Sequence, residues 1–220
     1  MTYLKILSSS ALLLVLAALA SGALAPVASG TVLCSAKAVA CPAPNKYPSE
    51  TKFQAVSGTM TLTRTWESLT TTVECPHSTI SGKTLTAGGG LGVPVEARVE
   101  LVDFTECHLT KTETGCEDVW LNPGQTRPTF FTNTAETTNG TLSVSGSGTA
   151  EPSIEIRCGA ESPCIYKAPS IVFDVTGGEE ATLVAEKEKL KGPGLGCPQN
   201  LDWTGTYKFV QPKPLYISAS

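Results

Sequence analysis

Two histidines and eight cysteines carry the widest chemistry open to this 220-residue chain. Both histidines stand beside cysteines, in Cys75-Pro76-His77 and Cys107-His108. An imidazole beside a carboxylate can serve as a general base or a metal ligand, and Asp103 and Glu106 lie close in sequence. The plainer reading, exposed loop histidines next to disulfide staples, is the one the surrounding residues favour. A Ser-His-Asp triad would need one of these two histidines, and neither is flanked by a catalytic signature. Ser81-Gly82-Lys83-Thr84 resembles the end of a phosphate-binding loop, but His77 stands where its first glycine is required. No G-x-S-x-G elbow occurs, and the scattered carboxylates single out no pair for glycoside hydrolysis. No catalytic residue, cofactor-binding residue, metal ligand or cofactor is assigned.

The cysteines read as staples. None are spaced Cys-x-x-Cys, which disfavours a zinc site. Spacing ranks the pairings: Cys34/Cys41, Cys107/Cys116 and Cys158/Cys164 as local clips, leaving Cys75 with Cys197. In the chain-entropy picture each clip stabilises by roughly 2–3 kcal/mol and the long tie by about 5. Aromatic residues are the remaining candidates. Trp66 falls at an expected hairpin tip, and Phe130-Phe131 in an expected long loop, 125–138. Exposed there, all three could stack on sugar rings or anchor a partner. The competing reading has them cover the end of a β core. Trp203, Tyr207 and Phe209 keep strand parity and read as core. Asn139-Gly140-Thr141 matches an N-glycosylation acceptor.

These residues need elements to hold them, and the elements read as strands. Gly, Pro and Thr are abundant and charged residues make up only 16% of the chain, which favours turns and strands over helices. Residues 93–104 alternate cleanly, with Val93, Val95, Ala97, Val99 and Leu101 on one face and Glu96, Arg98 and Glu100 on the other. Leu101-Val102 together suggest a bulge. Alternation from Met60 slips parity across Trp66-Glu67-Ser68, the mark of a hairpin tip. Ser81-Gly82-Lys83 offers a turn, and 87–90 a flexible connector. Further strands are expected at 119–121, 141–145, 153–158, 170–176, 203–210 and 214–217. The span 179–191 suits helix or strand, and its glycine-linked neighbours favour strand. Gly58–Thr63 resembles Gly140–Ser145, which raises two related halves, 49–125 and 139–220. Chance among Thr-rich strands explains the likeness as well.

The N-terminus reads as a secretory signal: Lys5, an apolar run from Ile6 to Ala20, and an A-x-A site at Ala18-Leu19-Ala20. The run is shorter than a bilayer span. Cys34 lacks the small preceding residue of a lipidated cysteine. The chain's net charge is −4, made one unit more negative when Lys5 leaves with the signal, which argues against nucleic acid as a partner.

The order of Phe53 and Gly58-Thr59, Glu74-Cys75, Phe104-Thr105-Glu106-Cys107, Cys158, Cys164-Ile165-Tyr166, Cys197-Pro198 and Trp203-Thr204-Gly205-Thr206-Tyr207 resembles uncharacterised secreted β proteins of actinobacteria. The resemblance implies a compact extracellular β domain and transfers no catalytic residue. The expected protein is therefore all-β: a signal region (1–29), a cystine-bearing lead-in (30–48) lacking regular structure, and one antiparallel β-sandwich-like domain (49–220) stapled by disulfides. It is expected to be secreted, non-enzymatic and without a membrane anchor after cleavage. Its role would be binding or structural, with cell-envelope polysaccharide or protein as partner. The alternatives are a carbohydrate-binding module using the exposed aromatics, and an unrecognised hydrolase or protein inhibitor on a disulfide scaffold.

Overall fold

The computed structural model describes residues 30–66, 69–110, 116–122, 129–134, 137–145, 151–158, 163–193 and 197–220. The expected signal region lies outside them. Fifteen strands are described: β1 (Thr31–Cys34), β2 (Lys52–Trp66), β3 (Leu69–Cys75), β4 (His77–Thr84), β5 (Val95–Thr105), β6 (His108–Leu109), β7 (Cys116–Asn122), β8 (Thr129–Asn133), β9 (Gly140–Ser145), β10 (Ser153–Cys158), β11 (Cys164–Lys167), β12 (Ser170–Thr176), β13 (Thr182–Lys191), β14 (Asn200–Gln211) and β15 (Tyr216–Ala219). The fold is all-β, and the ambiguous 179–191 span is strand. The lead-in is not irregular: it supplies β1 and one 3-10 turn at Ala43–Asn45.

The expected sandwich is instead a barrel. Eight antiparallel strands run β2-β4-β5-β8-β9-β12-β13-β14, and β14 closes onto β2 from Asn200↔Thr65 to Gln211↔Gln54. Strict alternation along β9, β12 and β14 sends every second side chain inward, and closure joins those inward faces into one core. Trp203 sits at its centre. Phe173, Phe104 and Tyr207 meet it edge-on at ring distances of 5.2, 5.7 and 6.4 Å. Phe53 and Phe131 make a further edge-on pair at 5.4 Å. The expected turn at Ser81-Gly82-Lys83 is strand interior, because Phe53 packs where a side chain on Gly82 would stand. The bulge expected near Leu101 is present, where Leu101 and Val99 oppose Ser81 and Gly82.

One barrel end is plugged by the antiparallel ribbon β1–β15, buried at every position. Leu33, Leu215 and Ile217 join the barrel core, while Val32, Cys34, Cys41 and Tyr216 form a second cluster outside it. Hydrogen bonds fix the ribbon to the loops around the mouth. Thr31 Oγ1 accepts from the Asn133 amide, and the Gly89 amide donates to the Thr31 carbonyl at 3.0 Å. The expected flexible connector is thus a docking loop. Gly88 takes φ +72° there and presses against Thr31. Gly140 lets the ribbon's other strand approach, since a Cβ there would lie 2.7 Å from Ile217 Cγ2.

At the opposite end the long strands run on into a lobe. Its strand order is β6-β3-β2-β14-β13-β11-β10-β7. A seam separates lobe from barrel. β2 changes partner from β4 to β3 across Gly58-Thr59, β13 bulges at 186–187, and the β5–β6 connection kinks at Glu106, with φ +59°. An extra residue at each bulge turns the strand and reverses which parity faces inward. Core residues on β2 accordingly switch from Phe53 and Ala55 to Met60 and Leu62.

The disulfides differ from the spacing-based scheme. Cys34–Cys41 forms as expected, but Cys75 bonds Cys107, and Cys164 bonds Cys197. The first of these corrected bonds alone excludes Cys75–Cys197 and Cys107–Cys116. The second excludes Cys158–Cys164. The physical reason is register. Glu74↔His108 and His77↔Thr105 share one register on either side of the seam, which sets Cys75 against Cys107 with Cα atoms 4.0 Å apart. Cys116 and Cys158 are rung partners of β7 and β10.

Candidate functional site

The β3–β6 and β4–β5 pairings bring both histidines to one outer corner of the seam. Glu74 and His108 face each other across β3 and β6, while His77 opens β4 opposite Thr105. Glu106 stands between the two imidazoles. Its carboxylate lies 3.8 Å from His77 Nε2, and its carbonyl oxygen lies 3.2 Å from His108 Nδ1. A carbonyl can only accept, so Nδ1 carries the proton in that bond and Nε2 keeps its lone pair in the neutral ring. The Cys75–Cys107 bond closes the backbone beneath. His77 and Glu106 side chains are 68% and 72% exposed, so their charges are well solvated and the pair adds little stability. Of the two carboxylates near in sequence, it is Glu106 that meets His77. Among the described residues, no three carboxylate, imidazole or thiolate groups converge as they stand on a point that could hold a metal ion.

The aromatic candidates do not come together. Phe131 is fully buried in β8 against Phe53, and so cannot be a surface ligand residue. Phe130 is its half-buried neighbour on the outer face. The expected loop 125–138 therefore contains a barrel strand. Trp66 ends β2 opposite Leu69, as a hairpin tip requires, and its side chain lies outside the described residues. Trp203, Tyr207 and Phe209 are core as expected.

Among the described residues the barrel interior shows one small recess. A recess with about 20 Å³ of free space lies among Val99, Val102, Val144, Ile171, Phe173 and Trp203, with no polar lining. That is room for roughly one water-sized body, and an apolar wall keeps it dry. Ligand pockets are larger by an order of magnitude. Two polar groups elsewhere have partners within the fold. The Tyr207 hydroxyl shares a 3.1 Å hydrogen bond with Ser78, and burial pushes its pKa up to about 12 against that bond. Where β12 and β13 part beyond Asp174↔Val184, the Val172 amide donates to the Glu188 carboxylate at 3.2 Å. Burial raises the Glu188 pKa, the Val172 hydrogen bond opposes it, and the charge of Asp174 adds to the rise.

Compared with known proteins, the chain matches no family model, and neither a curated protein nor a solved structure resembles it significantly. No helix among the described residues is long and apolar enough to cross a membrane.

Proposed function

We propose that this is an extracytoplasmic, non-enzymatic envelope or secreted protein that works as a rigid scaffold. It engages a partner through its outer faces and loops. The observation that supports this reading is the filled barrel. Trp203, Phe53, Phe131 and Tyr207 occupy the interior, and the β1–β15 ribbon occupies one mouth. A barrel of this strand number either fills with side chains or holds one small ligand. The described residues fill this one, which favours binding on the outside. Disulfides, which persist in oxidising compartments, support export.

The test is fractionation of producing cells with N-terminal sequencing of the recovered chain, followed by native mass spectrometry. The expected chain begins near Ser21, sits in the envelope or medium, and carries no small molecule. An unprocessed cytoplasmic chain would overturn the location. A stoichiometric small molecule released on unfolding would overturn the scaffold reading.

A further inference from the structure

We infer that the His77–Glu106–His108 corner is a surface site for a borderline divalent transition metal, of the Zn²⁺ or Cu²⁺ class. The two imidazoles are its nitrogen ligands, and Glu106 or Glu74 supplies the carboxylate.

The chain has only two histidines, 31 positions apart in sequence by their numbering, and the strand pairing delivers both to one corner. His108 already has the arrangement that metal-ligating histidines use. Its Nδ1–H is bound to a backbone carbonyl, which fixes the tautomer and leaves the Nε2 lone pair available to a metal. His77 Nε2 faces a carboxylate. His77 lies three residues along from the Glu74–His108 rung, at most about 10 Å at the usual strand rise. An odd offset would place it on the opposite face of a regular strand. Cys75 and Ser78, also three apart, are both buried, so parity reverses at the seam and both imidazoles face out. Two histidine side chains sharing an ion, with metal–nitrogen bonds of about 2 Å, span that gap. Imidazole with carboxylate is the donor set that suits Zn²⁺ and Cu²⁺, and no thiolate is needed.

The backbone under the site is fixed by Cys75–Cys107 and the His108 ring is held by its carbonyl bond, whereas the His77 and Glu106 side chains are free to turn. His77, His108 and Glu106 are all exposed, so no packing resists the rotation that brings them together. The metal-free conformer has the donors near each other without convergence, and binding is the step that converges them. Protons compete for the same imidazole nitrogens, so affinity falls on acidification. Such a site gives the scaffold a metal-dependent contact at the seam.

The test uses the intact oxidised protein, titrated with ZnCl₂ and separately with CuCl₂. Binding is read by calorimetry, and the two imidazole ring signals are followed by NMR. Saturation at one ion per chain is expected, with both rings responding together. His77→Ala and His108→Ala should each weaken binding at least tenfold. Both variants should keep the parent melting temperature, because neither ring is packed. Absence of saturable binding would overturn the site. So would binding that survives both substitutions, a response from only one ring, or two ions bound independently.

Discussion

Trp203 and Phe131 are both large, aromatic and completely enclosed, yet only one was visible as core in the sequence. Trp203 lies in a twelve-residue strand whose alternation with Leu201, Tyr207 and Phe209 spans several periods. Phe131 lies in a five-residue strand that follows Pro128 and is preceded by a second phenylalanine, so no period could establish itself. Register then decides which of the two adjacent rings goes in. Phe131 pairs with Leu142 and Val95 and points into the barrel, which turns Phe130 outward. The energetic contrast should be large. Phe131→Ala should cost about 3–5 kcal/mol in denaturant unfolding through lost transfer energy and a cavity, and Phe130→Ala about 1. Equal losses would mean that the two rings share the interior. The histidine corner shows the same limit. Sequence set each imidazole beside a cysteine, but only the pairing of β3 with β6 reveals that the two cysteines are each other's partners.

At the scale of elements, the seam explains why the sandwich reading failed. A sandwich and a barrel share the same alternating strands, and closure depends on the single β14–β2 pairing, which no local pattern encodes. The bulges that make the seam also blur the periods a reader relies on. β13 buries Leu183 and Ala185, then Leu190, a parity change across 186–187 that matches neither strand nor helix over its full length. The bulge is what brings Glu188 round to the Val172 amide left unpaired where β12 and β13 diverge. This gives a signed pH dependence. The Glu188 pKa in the fold is raised above its ordinary 4.5, so the folded chain holds that proton more tightly than the unfolded chain does. Its contribution is therefore most favourable below pH 4.5 and is lost as pH rises through the folded value. Glu188→Gln should melt no lower than the parent at pH 7, and the parent's relative position should improve as pH falls to 4. A parent that gains on the variant with rising pH would show instead that the charged carboxylate is the favoured partner of Val172.

For the whole molecule, the placement of the staples divides the labour of stability. No described disulfide ties two strands of the barrel wall to each other. Cys34–Cys41 pins the ribbon, Cys75–Cys107 closes the seam side of the lobe, and Cys164–Cys197 ties β11 to the approach of β14. Cys116 and Cys158 sit on the same β7–β10 rung, and among the described residues no cysteine is free, so peptide mapping should recover the two joined. The wall is held by a closed hydrogen-bonded ladder around an aromatic core. The lobe, by contrast, shows no closing ladder among the described residues, and β11 meets β13 there through one rung, Lys167↔Lys191. In the chain-entropy picture, loops of 32 and 33 residues make each lobe bond worth about 4 kcal/mol, against about 2 for the seven-residue ribbon loop. Sequence spacing favoured the shortest loops and so placed the strength in local clips. The register places it across the lobe. Reduction under native conditions should therefore open the molecule from one end. Amide exchange should accelerate in 69–75, 108–109, 116–122, 153–158 and 164–167, while β9, β12 and the barrel portions of β2 and β14 keep their protection. Uniform acceleration across both sets of strands would show that barrel and lobe unfold as one cooperative unit, with the staples supporting the wall as much as the lobe.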